Sequence, residues 1–298
     1  MLWAALATIY LVWGSTYLAI RVMVETMPPL LAAGLRFAVA GAIFWVALRL
    51  VGGAERVQVT RRQLAGAGLI GLLLPFGGNG LVTVAEQDVP SGLAALIIGS
   101  VPLWVVLMRV AHRDRVPRVT LAGVLVGFVG LAVLVLPGDR PGDAPLWGVL
   151  LIVAASISWA AGSFYSQSVP QPTDAFAATA WQMMLGGGAM LVVGLLAGEV
   201  GDVRVSEFSG DSIAAFTYLI FAGSLLAFTA YVWLLRNAPI STVATYAYVN
   251  PVIAIVLGAI ILSEEVTAAT VIGAVAIVLS VASVVRRESG EREEAPAR

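Results

Sequence analysis

The chain has 298 residues, of which 59% are hydrophobic and 12% charged, with a formal net charge of −1. A soluble chain carries roughly 25% charged residues, so this composition points to a membrane protein and gives no basis for a nucleic-acid partner. Cysteine is absent, which excludes thiol catalysis, disulfides and cysteine metal sites; all 17 basic residues are arginine, which excludes amine Schiff-base chemistry with retinal or PLP.

Runs of about 20 apolar residues are long enough to cross ~30 Å of hydrocarbon, and the chain reads as ten of them. Residues 2–20 carry the polar cluster Trp13-Gly14-Ser15-Thr16-Tyr17; with no basic stretch in front, the run reads as a span and not a cleaved signal. Residues 28–48 open on Pro28 and Pro29, which suit a helix start, and hold Arg36 inside. Residues 64–85 contain Pro75 and Asn79 and stop before Glu86; 89–108 and 119–138 complete the first half. The second half gives 144–167, 175–197, 212–235, 239–263 and 266–285, then a charged tail, 287–298, expected to be disordered and cytoplasmic. Connections of a few residues make neighbouring helices antiparallel and leave no room for a soluble domain.

The two halves repeat each other. Pro90 and Pro102 stand twelve positions apart, as do Pro239 and Pro251, and in both copies a Val-Thr pair (Val119-Thr120, Val266-Thr267) opens the next run. Gly14-Ser15-Thr16-Tyr17 parallels Gly162-Ser163-Phe164-Tyr165, each shortly after a tryptophan, Trp13 or Trp159. Arg36 and Gln182 each lie five residues before a glycine, Gly41 or Gly187. With the N-terminus inside, thirteen arginines fall in cytoplasmic segments and three in outer ones, which puts both termini in the cytoplasm. Five is odd, so two five-helix repeats, 2–138 and 144–286, would enter the membrane with opposite topology. The loops after the seventh and ninth runs fit this: they carry Glu199, Asp202, Glu207, Asp211, Glu264 and Glu265, with Arg204 the one basic residue among them. Inverted repeats of this kind commonly enclose a site that opens to alternate sides.

The residues Trp13 to Arg21, Pro28-Pro29 with Arg36, and Pro90-Ser91-Gly92 with Pro102 resemble the EamA family of the drug/metabolite transporter superfamily. Ala238-Pro239, Asn250-Pro251 and Glu264-Glu265 resemble the second EamA repeat, so the likeness covers roughly residues 2 to 286. It implies a ten-helix inner-membrane exporter of small metabolites, such as amino acids or drugs, with a central cavity between the halves. The second copy departs at Ala160-Ala161, which separate Trp159 from Gly162, so Trp159 need not face a cavity as Trp13 does.

Arg36 is the sharpest candidate. A guanidinium at a helix centre in the membrane costs ~2.5–3.5 kcal/mol on insertion scales, so it should face protein or water. It is either a fork for a solute carboxylate or a structural tie to helix-end carbonyls or Glu25. Trp13, Ser15, Tyr17, Trp159, Tyr165, Tyr246 and Tyr248 form an aromatic and hydroxyl set, suited to a cavity wall or to the membrane interface. Asn79, Gln182 and Asn250 are amides that either meet solute or glue helices, the latter worth only ~0.6 kcal/mol on average. Pro75, Pro102 and Pro251 each remove a helical N–H, the last two freeing the carbonyls of Ile98 and Ala247; hinges and static kinks both fit. Gly123-x-x-x-Gly127 and Gly186-Gly187-Gly188 read as close helix contact. No carboxylate lies near mid-membrane, so Glu86 is the remaining candidate for proton coupling.

No protease, hydrolase or phosphate-loop motif is present, so an enzyme is not expected, and the lone His112 among arginines gives no metal site. The reading is an all-α protein of the bacterial inner membrane, exporting amino-acid-like or drug-like solutes by alternating access. A facilitative channel and an importer or exchanger of the same solutes are the alternatives. No cofactor is expected; the partners are the solute and membrane lipid, with a homodimer left open beside a monomer.

Overall fold

The computed structural model describes residues 1–294 apart from 115, 136–142, 167, 239–242 and 244. Among these the regular structure is helical, with no strand. We number the helices α1 (Leu2–Met23), α2 (Pro29–Gly52), α3 (Arg61–Ala85), α4 (Ser91–Ala111), α5 (Arg118–Val135), α6 (Leu146–Tyr165) and α7 (Ala175–Leu196). The eighth, α8, opens as Gly210–Tyr218 and closes as Ala227–Asn237; α9 is Tyr246–Ile261 and α10 is Ala268–Glu294. The helix of α10 continues past residue 285, where the apolar run ends.

Seven helices, α1 to α4 and α6 to α8, are long and apolar enough to cross a membrane. The apolar stretches of the other three are shorter, at Thr120–Leu134, Val249–Ile261 and Ala268–Ser283. The protein is therefore a multi-pass, all-α membrane protein with seven clear spans. The expected ninth run is short here because part of its start, 239–242 and 244, falls outside the described residues. Large apolar side chains such as Leu125 and Ile260 are 67% and 75% exposed, the pattern of a surface that faces lipid.

Glycine sets the closest helix crossings. A Cβ on Gly34 would lie 2.9 Å from the Gly187 carbonyl oxygen, and one on Gly41 2.8 Å from that of Ala180. So α2 and α7 touch backbone to backbone, as small residues permit in membranes. Gly186 faces the other way, toward Gly71 and Pro75 of α3. The Gly123-x-x-x-Gly127 signal does the same for α5 and α10: the Ser280 hydroxyl donates to the Gly123 carbonyl, and Gly127 makes room for Leu103 and Ser280.

Two features have no direct signature in the apolar pattern. Both α3 and α8 widen into π-helical turns, over Leu72–Gly80 and Leu219–Leu226. Pro75 lies in the first stretch but no proline lies in the second, so proline is not the common cause. Close approach at small residues accompanies both: Gly77 and Gly78 abut Ser158 and Trp159 of α6, and Gly223 abuts Thr16 and Arg36. Secondly, α4 is not one kinked helix. It breaks at Gly99–Ser100 into Ser91–Ile98 and Val101–Ala111, and Pro102 sits in the first turn of the second piece, where its missing N–H costs least.

Helix ends are capped from within and from across the fold. Asp174 caps α7, accepting from the N–H groups of Phe176 (2.8 Å) and Ala177 (3.1 Å), and it takes a 2.6 Å bond from Arg56 Nε. Partial burial on its own would raise the Asp174 carboxyl. The Arg56 bond and the two backbone donors outweigh it and hold the group below its ordinary value. A depressed folded-state value contributes stability above the unfolded pKa and loses it as pH falls through the folded one. Thermal unfolding in detergent should therefore show a component that weakens as pH drops below the ordinary carboxylate range, about 3.9. Asp174→Asn is expected to lack that component; an identical pH profile would refute the assignment.

Candidate functional site

A cavity whose empty space, open solvent at its mouth included, is about 920 Å³ lies between the two halves. α1 contributes Trp13, Thr16, Tyr17 and Ile20 to its wall. These fall at i, i+3, i+4 and i+7, one face of a helix. α2 contributes Arg36 and Phe37, α3 Gly78, Asn79 and Val82, and α6 Trp159. From α4 come residues on both sides of its break, including Ile98 and Pro102. From α8 come Gly223 and Phe228, and from α9 Tyr246, Ala247, Asn250 and Pro251.

The Arg36 side chain crosses from α2 to the wide turns of α8. It is 4% exposed, its Nε donates to Ser224 Oγ at 3.0 Å, and its guanidinium carbon lies 4.6 Å over the Phe37 ring. Its Nη1 is buried with no hydrogen-bond partner, and no described carboxylate lies within ion-pair distance of it. The structural partner is thus Ser224, and neither Glu25 nor a helix-end carbonyl. Gly223 makes the approach feasible: a Cβ there would sit 3.3 Å from Arg36 Nη2, and its carbonyl accepts from Trp13 Nε1 at 3.2 Å. Asn250 of α9, also on the cavity wall and 7% exposed, has an unpartnered Oδ1. A buried donor on a cation and a buried acceptor on an amide, both without protein partners, are costly unless something else meets them.

The aromatic wall is concentrated on one side. The Trp13 ring stands 5.1 Å from Tyr231, 5.3 Å from Tyr246 and 5.5 Å from Phe228, within the range of favourable edge and tilted contacts.

Of the residues singled out in the sequence, Trp13, Tyr17, Arg36, Asn79, Trp159, Tyr246, Asn250, Pro102 and Pro251 line this cavity. Trp159 reaches it despite the two-residue offset of the second copy. Ser15 does not: it bonds Val12 O and Tyr218 Oη on the far side of α1. Gln182 turns to the Gln171 side chain, 3.1 Å away. Pro75 is buried against Gly186, and Tyr165 is 38% exposed beside His112 and Phe164. The Tyr248 side chain lies outside the described residues. Glu86 is fully buried with neither carboxylate oxygen bonded, yet it is not on the cavity wall; Arg21 donates to the main-chain carbonyls of Glu86 and Gln87 and not to its carboxylate. Sequence reasoning missed Thr16, Phe37, Gly223, Ser224 and Phe228. The helical spacing from Trp13 to Ile20 was a usable signal for the first, and the run Gly223-Ser224 in an apolar span for the glycine and serine.

A lipid-facing helical bundle around a largely apolar cavity that holds a few polar groups is the architecture of a membrane transporter. The sequence profile of the EamA-like transporter family matches residues 1–136 and again residues 146–286. The chain belongs to that family, and it is a transporter of the inner membrane, not an enzyme. It is 40% identical over 258 residues to the inner membrane transporter YedA of Escherichia coli (strain K12), covering 86% of this chain and 81% of that protein. A probable amino-acid metabolite efflux pump of Salmonella typhimurium is 28% identical over 278 residues, 90% of this chain and 89% of that one. A solved crystal structure with 19% identity superposes at a TM-score of 0.66 over 96% of this chain and 98% of its own, a likeness of fold.

Proposed function

We propose that this protein is a carrier that exports amino-acid-like solutes by alternating access, with the solute held in the cavity between two inverted five-helix repeats. The observation that carries the reading is the pair of unpartnered buried groups on the cavity wall, Arg36 Nη1 and Asn250 Oδ1. A solute carboxylate satisfies the first as a charge-assisted bond. A solute ammonium satisfies the second, and the Trp13, Tyr246 and Phe228 rings take an apolar or aromatic side chain.

Supporting the repeat, the family profile matches twice with similar length, and the wide helical turns occur in the third helix of each half, α3 and α8. The arginine distribution supports ten spans with both ends in the cytoplasm. Pro102 and Pro251 line the cavity, the first just after the break in α4 and the second inside α9, where it removes the donor to Ala247. They are the gating prolines in this reading. Export, and amino-acid-like cargo, are supported by the likeness to probable amino-acid metabolite efflux pumps of Salmonella typhimurium and Escherichia coli.

The test is counterflow in proteoliposomes with radiolabelled amino acids and their carboxylate-free amine analogues, with and without a pH gradient. Saturable exchange of an acid with no exchange of its amine analogue is expected. Equal exchange of both would overturn the carboxylate assignment. Accumulation driven by the gradient would show proton coupling and make Glu86 the first carboxylate to substitute.

A further inference from the structure

Among the described residues, the fourth and ninth helices pack together chiefly at one end. The first piece of α4, Ser91–Ile98, packs along α9, whereas the second, Val101–Ala111, turns away to α6, α5 and α10. Along the closed part the helices pack closely: a Cβ on Gly92 would sit 3.2 Å from Ile255 Cγ1 and 3.3 Å from Ile255 Cα, and one on Gly99 3.1 Å from Pro251 Cγ. Cavity residues toward that end, Ile20, Val82 and Ala95, are 1–4% exposed. Those toward the arginine-rich end, such as Pro102, Trp159 and Tyr246, are partly exposed.

One carboxylate fastens the closed end. Glu264 Oε1 accepts from Ser91 N at 2.7 Å and its Oε2 from Gly92 N at 3.0 Å. The N-cap of α4 is Pro90, which has no side-chain acceptor, so these orphan N–H groups are met only from across the repeat boundary. The chain is shaped to deliver this group. Ser263 takes a φ of 55°, rare for a residue with a side chain, and Glu264 N reaches back to Gly258 O at 3.1 Å. Gly258 leaves the space that the Glu264 carboxylate fills.

A similar bond occurs between α7 and α2, where Glu199 accepts from Leu30 N (3.1 Å) and Leu31 N (2.8 Å). There the two helices are also locked along their length by Gly34, Gly41 and Gly187. At the α4–α9 end the contact is short, so the carboxylate is a large share of what holds it.

We infer that Glu264 is the latch that keeps the cavity shut on its own face of the membrane, and that the alternation of access requires its release from Ser91 and Gly92. This rests on the alternating-access reading above. Glu199, on the same face, is a static tie by the same reasoning.

The chain lacks cysteine, so Asn79→Cys places a single thiol on the cavity wall. Labelling with a membrane-impermeant maleimide, applied to one face at a time, then reports which side is open. The parent should label from the arginine-rich face and hardly from the Glu264 face. Glu264→Gln should raise labelling from the Glu264 face by about tenfold, the scale of one lost charge-assisted bond. Gly258→Ala, which keeps the charge but takes the carboxylate's space, should do likewise, and Glu199→Gln should not. Labelling from the arginine-rich face, with none gained from the Glu264 face in either Glu264→Gln or Gly258→Ala, would overturn the latch and leave the cavity reading intact. A thiol that labels from neither face in any variant would overturn both.

Discussion

Arg36→Gln should leave the protein folded and cut counterflow of a carboxylate solute at least ~10-fold, the size of one charge-assisted hydrogen bond of ~1.5–3 kcal/mol. The guanidinium already has a packed position, over Phe37 and bonded to Ser224, which glutamine can occupy in part. Its Nη1, however, has no protein partner, so the group lost on substitution is the one that the proposed carboxylate contact uses. Arg36→Lys keeps the charge but not the planar fork and is expected to fall between the two. Ser224→Ala separates the roles, since it removes the internal bond and spares the cation; its effect on exchange should be several-fold smaller. Full exchange by Arg36→Gln, measured at equal reconstituted protein, would make Arg36 a structural tie only.

The largest effect on stability is expected at the α2–α7 crossing. In an open helix, glycine to alanine gains about 1 kcal/mol of helix propensity. At Gly187 the added Cβ would lie 2.7 Å from Ala38 N and 2.8 Å from the Gly34 carbonyl, both backbone atoms that cannot rotate away. Overpacking of this kind typically costs ~1–3 kcal/mol, and Gly187→Leu should exceed that and fail to accumulate in the membrane. The neighbouring Gly188 meets nothing within 4 Å, so Gly188→Ala should stabilise or do nothing. Thermal aggregation of the purified variants in detergent reads both. The predicted result is opposite signs at adjacent glycines, and equal shifts would contradict the crossing.

The apolar runs, the arginine bias and the internal repeat were legible in the sequence because they are one-dimensional patterns. A long uncharged run and a charged loop need no tertiary information. The cavity was legible only in part. Trp13 and Tyr17 face it while Ser15, between them, does not, because each residue turns the helix by about 100°. Adjacency in sequence was a poor guide there, and the i, i+3, i+4, i+7 rule was a better one. Gln182 matches Arg36 in depth, yet the repeat relation fixes height along the membrane and not rotation about the helix axis, and Gln182 faces Gln171. Ser224 lies 188 residues from Arg36, a separation across which no local pattern pairs a donor with its acceptor. The wide turns of α3 and α8 and the break in α4 arise from packing between helices, so propensity alone does not locate them.

The central claim is that solute binds between the two halves, and solute protection of single thiols tests it most directly. Val101→Cys and Ala247→Cys place one thiol on each half of the cavity wall, in a chain that otherwise has none. The account predicts that an exchanged amino acid slows maleimide labelling at both positions, with half-maximal protection at the concentration that half-saturates counterflow. Full labelling at both positions in variants that still exchange the saturating solute would contradict it.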